Sequence, residues 1–360
     1  MGKLLKYKAM LMKRFINTLP TVLVLLVAYL AAGQTAPAQI ITPGGQKISR
    51  LDINRFISRE VDTLQITGLS VAIIEKGRIV YYKTLGEKNK QTGEKVGRKT
   101  LFEAASMTKP VFAYAVHKLV AEGRFDIDTP LFIYFPYEDL EYDDRYKLIT
   151  ARMVLGHTTG LPNWRPKGEK LAFIAEPGSR YTYSGEGYEF LGYAVSRHIG
   201  KQLQEIISEQ VLLPLKMKHS FMTDNDYVTR HVATGHSDGK VSGRMFLDKS
   251  YVAYGLRTEA RDYARLVIAL MSESHQQQSI FEKMAFPHIN IDDRVVSCLG
   301  IRTEQTPYGV KYYHSGNNGN RFQSHFAFYK DKDFGFVFFM NCNRGVEFAA
   351  KMYEFLTSRE

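Results

Sequence analysis

The sequence predicts an α/β fold of the α+β kind: a mixed, mainly antiparallel sheet flanked by helices, with a mainly helical domain inserted. Three observations predict it. Two pairs of β-rich runs lie near opposite ends of the 360-residue chain, each pair joined by a turn short enough for an antiparallel hairpin. Between them, from about residue 100 to 270, apolar residues recur at helical spacing. The composition, 44% hydrophobic and 24% charged, is that of a folded globular chain. It excludes disorder, collagen and coiled coil as descriptions of the whole, and the length allows two domains or one with a large insertion.

The elements follow in order. Lys3, Lys6, Lys8, Lys13 and Arg14 precede an apolar run from Leu19 to Ala32, and Ala36-Pro37-Ala38 comes next. Basic, apolar, small-residue is the order of a secretory signal peptide, assigned here to residues 1–38. As a helix the 14 apolar residues span about 21 Å, short of the ~30 Å hydrocarbon core, which favours a cleaved signal over an uncleaved anchor. The expected location is therefore exported, periplasmic or extracellular, with membrane attachment only if the segment stays. The pattern of Ile48, Leu51, Ile53, Phe56, Ile57 and Val61 predicts a helix over 47–64. Leu69 to Ile74 and Ile79 to Tyr82 form the first hairpin around Glu75-Lys76-Gly77-Arg78, and the polar stretch 86–99 reads as a loop.

Val111, Phe112, Ala115, Val116, Leu119 and Val120 then mark a helix stopped by Gly123. Further helices are expected over Tyr188–Ile199, Leu203–Leu213 and Arg261–Ser272. Val310 to His314 is a strand, Ser324–Tyr329 and Phe334–Asn341 form a second hairpin, and 345–358 reads as a closing helix. The sheet domain is thus assigned to 39–98 and 255–360 and the helical domain to 99–254.

Charge and cysteine content narrow the function classes. The formal charge is +11, from 48 basic and 37 acidic residues. Removal of residues 1–38 takes five positive charges and leaves +6. No helix-turn-helix, zinc-finger or RNA-binding signature accompanies it, so no nucleic-acid partner is expected. The 2 Cys cannot build a disulfide framework or a four-thiolate zinc site. Cys298 and Cys342 either pair or are two buried thiols. His231 and His236, five apart in a Gly-containing stretch read as a loop, do not match the i, i+4 spacing of paired metal ligands. Neither metal nor cofactor is expected.

Three patterns carry chemistry. Ser106-Met107-Thr108-Lys109 opens the apolar helix, so hydroxyl and ammonium share one face. A serine hydroxyl needs such a neighbour to become a nucleophile, and a helix N-terminus favours developing negative charge. The same spacing recurs in Ser237-Asp238-Gly239-Lys240, but there the glycines make a loop. The plain alternative for Ser106 is a helix-capping serine. Tyr183-Ser184-Gly185 follows a turn, and a phenol beside an ammonium can work as a base. Tyr183 is one of 22 tyrosines, so core packing is its alternative. His314-Ser315-Gly316 ends a strand, where glycine permits close approach by a ligand and strand N–H groups can supply half an oxyanion hole.

Taken together and in this order, these residues resemble the serine β-lactamase and penicillin-binding protein superfamily. Within it the chain is similar to the class C β-lactamase-like branch, which includes esterases and D-amino-acid peptidases. Leu155-Gly156-His157-Thr158-Thr159-Gly160-Leu161 and Gly255-Leu256-Arg257-Thr258-Glu259 support the resemblance, which covers about residues 50–357. It implies an interrupted sheet with a helical insertion and a cleft between them. It implies Ser106 as acylated nucleophile, Lys109 and Tyr183 sharing the proton work, and backbone N–H groups of Ser106 and Asn317 as the oxyanion hole. His314, Ser315, Gly316 and Gly185 would face substrate.

Two departures matter. Gly185 stands where the family has Asn, with Glu186 the neighbouring candidate to replace the lost amide. His314 stands where penicillin-hydrolysing members have Lys, and a neutral imidazole holds a carboxylate less firmly than an ammonium. The expected function is a secreted serine hydrolase of a small ester, a cell-wall D-amino-acid peptide or a β-lactam, with efficient β-lactamase activity the least favoured. The alternative is a catalytically weak or silent module that binds cell-wall peptide or a partner protein. The sequence leaves the oligomeric state open.

Overall fold

Strands without polar alternation belong inside a sheet covered on both faces, and this chain has three. The structure is a computed structural model that describes residue 2 and residues 39–358. In it β1 (Gly68–Glu75) is buried over all but its last residue, and β8 (Phe322–Tyr329) and β9 (Phe334–Met340) are buried throughout. They sit side by side near the middle of a nine-stranded sheet. The remaining strands are β2 (Arg78–Asn89), β3 (Glu94–Lys95), β4 (Pro287–Asn290), β5 (Val295–Cys298), β6 (Arg302–Thr306) and β7 (Gly309–Asn318). The order is β4-β5-β6-β7-β8-β9-β1-β2-β3, with every neighbouring pair antiparallel. Both expected hairpins are present, and β9 joins them by pairing with β1, Phe336 opposite Ile73 and Phe338 opposite Val71.

Helices cover the two faces. On one, α1 (Arg50–Thr63) and α5 (Gly345–Thr357) bury Ile53, Phe56, Ile57, Phe348 and Met352 against Val71, Ile73 and Phe338. Phe56 and Phe355 stack at 4.2 Å between centroids. On the other, α4 (Ala260–Glu273) and the helical segment with α2 (Thr108–Ala121) and α3 (Gly185–Ile199) share a larger core.

The sequence-based expectations differ from this in four places. The first helix begins at Arg50 rather than 47, because Lys47-Ile48 pair with Ile40-Ile41 and Ser49 caps the helix with Asp52. Residues 86–99 are not all loop, since β2 runs on to Asn89 and pairs with β3. The glycine-bearing stretch 235–243 is a small hairpin, Gly235–Ser237 with Lys240–Gly243. Leu203–Leu213 is one α-helical turn continued as a π turn. The two thiols are free and belong to the two opposite cores, Cys298 to the larger and Cys342 to the smaller. The export segment, 1–38, lies outside the described residues apart from residue 2. Among the described residues no helix is long and apolar enough to cross a membrane.

One consequence of the packing positions the site. The chain enters α2 through a single 3₁₀ turn, Ala105–Met107, whose Ala105 has φ of +51°, a conformation that costs an L-residue energy and persists only when its surroundings fix it. Here they do. Ala104 O accepts from Ser324 Oγ of β8 at 2.8 Å, Ala105 O from Thr108 Oγ1 at 2.7 Å, and Met107 O from Tyr263 Oη of α4 at 2.8 Å. Tyr263→Phe keeps the volume and removes the hydroxyl that donates to the Met107 carbonyl. Denaturant unfolding should show a loss of about 0.5–1.5 kcal/mol with unchanged far-UV dichroism; parent stability would show that this brace is idle.

Candidate active site

The turn that α4 and β8 hold presents Ser106 at the floor of a cleft of about 570 Å³. Its walls include Asn163, Tyr183, Arg302, Ser315 and Asn317, and α5 contributes Val346, Ala349 and Ala350. One helical turn below Ser106, Lys109 is only 1% exposed. Its Nζ lies 3.2 Å from Ser106 Oγ and donates to Ala253 O at 2.9 Å. The rings of Tyr183 and Tyr188 flank it at 4.9 and 5.4 Å. An ammonium out of water needs such partners. The Ala253 carbonyl is itself fixed, because Ala253 N–H donates to Glu189 Oε1 at 2.9 Å. Burial pushes the Glu189 carboxyl up to about 7, against the bond from Ala253 and the charge of Lys109.

Gly316 shows why β7 can lie against the serine turn. A Cβ there would come within 2.4 Å of both Ala104 O and Ser324 Oγ. With that glycine, Ser315, Gly316 and Asn317 reach the cleft directly beside Ser106. His314 and Gly185 do not line it. Strand alternation puts His314 on the same face as Gly316, buried at 4% exposure with Nδ1 donating to Ser315 O at 2.9 Å. Burial, with Arg302 and Lys109 nearby, holds its imidazole well below the usual range, so it is neutral. His157 is held low for the same first reason, and its Nδ1 accepts from Ser184 N–H at 3.1 Å, bracing the loop that carries Tyr183.

Gly185 has a steric reason. A Cβ there would meet the Trp164 indole at 2.5 Å and Asn163 O at 2.9 Å. The amide absent at position 185 is nevertheless present in the cleft, from Asn163. Its Oδ1 accepts from Gly185 N–H at 3.1 Å, and among the described residues its NH2 end has no protein hydrogen-bond partner. Glu186, the other candidate, is held by Arg165 through Nε and Nη2 at 3.0 Å each and does not reach Lys109.

Arg302 is the residue that sequence reasoning missed. It lies on β6 opposite Tyr313, so the fold sets a cation one strand away from the neutral His314. Nη2 donates to Tyr181 Oη at 2.7 Å, the guanidinium carbon lies 5.4 Å from the Tyr183 ring, and among the described residues the buried Nε has no hydrogen-bond partner. Burial would lower this group, and the phenols of Tyr181, Tyr183 and Tyr313 outweigh it, keeping it a cation. No motif marks Arg302, and only the register of β6 on β7 reveals it. Among the described residues no three His, Cys, Asp or Glu side chains are arranged to hold a metal. His231 and His236 have separate backbone partners, Tyr227 O and Asn341 O.

A serine over a buried lysine, framed by an interrupted antiparallel sheet, is the arrangement of the serine hydrolases and penicillin-binding proteins that share one fold. The chain belongs to the Beta-lactamase family, whose model matches residues 53–358. It is 25% identical to a "Beta-lactamase" of Pseudomonas fluorescens over 280 residues, 72% of this chain and 76% of that protein. It is also 25% identical to "Protein flp" of Staphylococcus aureus strain MW2 over 205 residues, 52% of this chain. That match spans only 41% of the length of the staphylococcal protein. Among solved structures it resembles a class C beta-lactamase, with a TM-score of 0.74, 21% identity, and 86% of this chain and 95% of that one covered. An octameric penicillin-binding protein homologue from Pyrococcus abyssi gives 0.73 and 22%, over 86% of this chain and 77% of that one.

Installing the family's asparagine should be costly here. Gly185→Asn should destabilise by about 1–3 kcal/mol in thermal or denaturant unfolding, because two rigid neighbours occupy the space. Trp164→Ala in the same chain should recover the part due to the indole and leave the part due to the Asn163 carbonyl. A single variant as stable as the parent would contradict the packing account.

Proposed function

We propose that this chain is a serine hydrolase that opens an ester or amide through an acyl-enzyme on Ser106, and that its preferred substrates carry a carboxylate near the scissile carbonyl. The observation that carries the first half is the buried Lys109 Nζ at 3.2 Å from Ser106 Oγ in a cleft. Ser106 Oγ attacks the carbonyl carbon. With one member of the Lys109–Tyr183 pair deprotonated, the serine proton passes to that member and on to the leaving oxygen or nitrogen as that bond breaks. The oxyanion forms against the backbone N–H groups of Ser106 and Asn317, at the N-terminal end of α2. Water then attacks the acyl ester, the same pair returns a proton to Ser106 Oγ, and the acid product leaves. The basic, apolar, small-residue order of residues 1–38 supports an exported enzyme.

Arg302 supports the second half. A buried guanidinium N–H without a partner, in the wall beside the nucleophile, is the group most improved by an anionic ligand. It supplies the fixed positive charge that His314 lacks. The small apolar wall of Ala349 and Ala350 suits a short side chain such as the methyl of alanine. A peptide ending in D-alanine, or a β-lactam, fits this combination better than a neutral ester.

The test is a screen of p-nitrophenyl acetate, D-alanyl-D-alanine peptides and nitrocefin on one purified sample. Ser106→Ala should lower every turnover by at least about 10³-fold. Arg302→Gln should lower kcat/KM by about 10–100-fold on the carboxylate-bearing substrates, the worth of one charge-assisted hydrogen bond, and by under about threefold on the acetate. Equal losses on all three would refute the carboxylate assignment, and turnover persisting in Ser106→Ala would refute the mechanism.

A further inference from the structure

A second concavity of about 630 Å³ lies away from the cleft and shares no lining residue with it. Five arginines from four segments converge there. Arg50 opens α1, Arg78 opens β2, Arg98 follows β3, and Arg261 and Arg265 lie one turn apart on α4. No Asp or Glu is among its lining residues. Among the described residues, Arg50, Arg78, Arg98 and Arg261 have no carboxylate within 4.0 Å. Arg265 has one, Asp262 Oδ1 at 3.7 Å, but the other oxygen of Asp262 already accepts from Ser220 Oγ at 3.1 Å and from His219 N–H. One polar atom of the lining, Arg265 Nε, is buried without a hydrogen-bond partner among the described residues.

The backbone adds to this. β2 meets β3 only at Glu87 and Asn89, so the part of β2 that lines the concavity is an open sheet edge. Glu259 and Asp262 lie behind Arg98, Arg261 and Arg265, two carboxylates against five guanidinium groups, and a bound anion relieves the repulsion that remains. Elsewhere on the surface Arg145, Arg152 and Arg165 each pair with a carboxylate. Planar guanidinium forks match the oxygens of phosphate two at a time, and five of them exceed what one carboxylate needs.

We propose that this concavity is a binding site for an anionic phosphate group, on a soluble diphosphate or on an anionic phospholipid headgroup. It is independent of the serine chemistry. A soluble ligand would make the site effector-like, and a lipid headgroup would hold the enzyme against an anionic membrane face with the cleft free.

The test uses the full chain without residues 1–38, so that the basic N-terminal segment contributes nothing, with inorganic pyrophosphate and with phosphatidylglycerol or phosphatidylcholine vesicles as probes. Pyrophosphate should raise the melting temperature in a concentration-dependent way, or phosphatidylglycerol vesicles should co-sediment the protein where phosphatidylcholine vesicles do not. Competition of pyrophosphate with the vesicles tells the two sources apart. Arg261→Gln with Arg265→Gln should weaken binding at least tenfold, and Arg78→Gln with Arg98→Gln, on different elements, should do the same. Lys240→Gln with Lys332→Gln removes the same charge from exposed positions elsewhere and should leave binding within twofold. All three variants should keep parent hydrolysis of p-nitrophenyl acetate. No binding of either probe by the parent overturns the proposal. So does equal weakening in the lysine control, which would make the effect one of net charge.

Discussion

The constraint on which the catalytic region depends is the burial of one amino group. Lys109 can lie beneath Ser106 only if its Nζ is surrounded by partners that replace water, and each partner fixes a different part of the fold. The Ala253 carbonyl ties it to the segment before α4 and, through Glu189, to α3. The Tyr183 and Tyr188 rings tie it to the loop and helix of the tyrosine motif. Ser106 itself ties it to the 3₁₀ turn that Ser324 and Tyr263 anchor to β8 and α4. Sheet and helical insertion therefore meet at this amino group, and the cleft is where they meet.

The charge distribution of the cleft follows from the sheet. On β7 the position that could carry a cation holds His314, which burial keeps neutral. The neighbouring strand supplies Arg302 instead, so a positive charge reaches the same region from a different place in the sequence. A comparable exchange concerns the tyrosine motif. Gly185 gives its space to Trp164, and Asn163, the residue before that indole, brings an amide to the cleft. In both cases the chemical group is retained while its position in the chain changes.

This explains how much was legible in the sequence. Both hairpins, the helix after Ser106, the closing helix and the pairing of Ser106 with Lys109 could be read because each is a local pattern, periodicity or i, i+3 spacing. Arg302, Asn163 and Glu189 could not, because their roles arise from strand register and loop packing between distant segments. The glycine-bearing hairpin at 235–243 looks like a loop in the sequence for a related reason: a short two-stranded ribbon has few apolar residues to announce it. The neutral imidazole of His314 is legible from its residue type, whereas its burial against the serine turn comes from strand packing. The arginine concavity has no linear motif at all, since its five residues span positions 50 to 265.

The central claim is that Ser106, activated by the buried Lys109, is the acylated residue. Reaction of the purified protein with a fluorophosphonate, followed by intact mass and peptide mapping, tests it most directly. The account predicts one adduct per chain, on the peptide that contains Ser106, formed at least about a hundredfold more slowly in Lys109→Ala. An adduct on another residue, or labelling of Lys109→Ala at the parent rate, would contradict it.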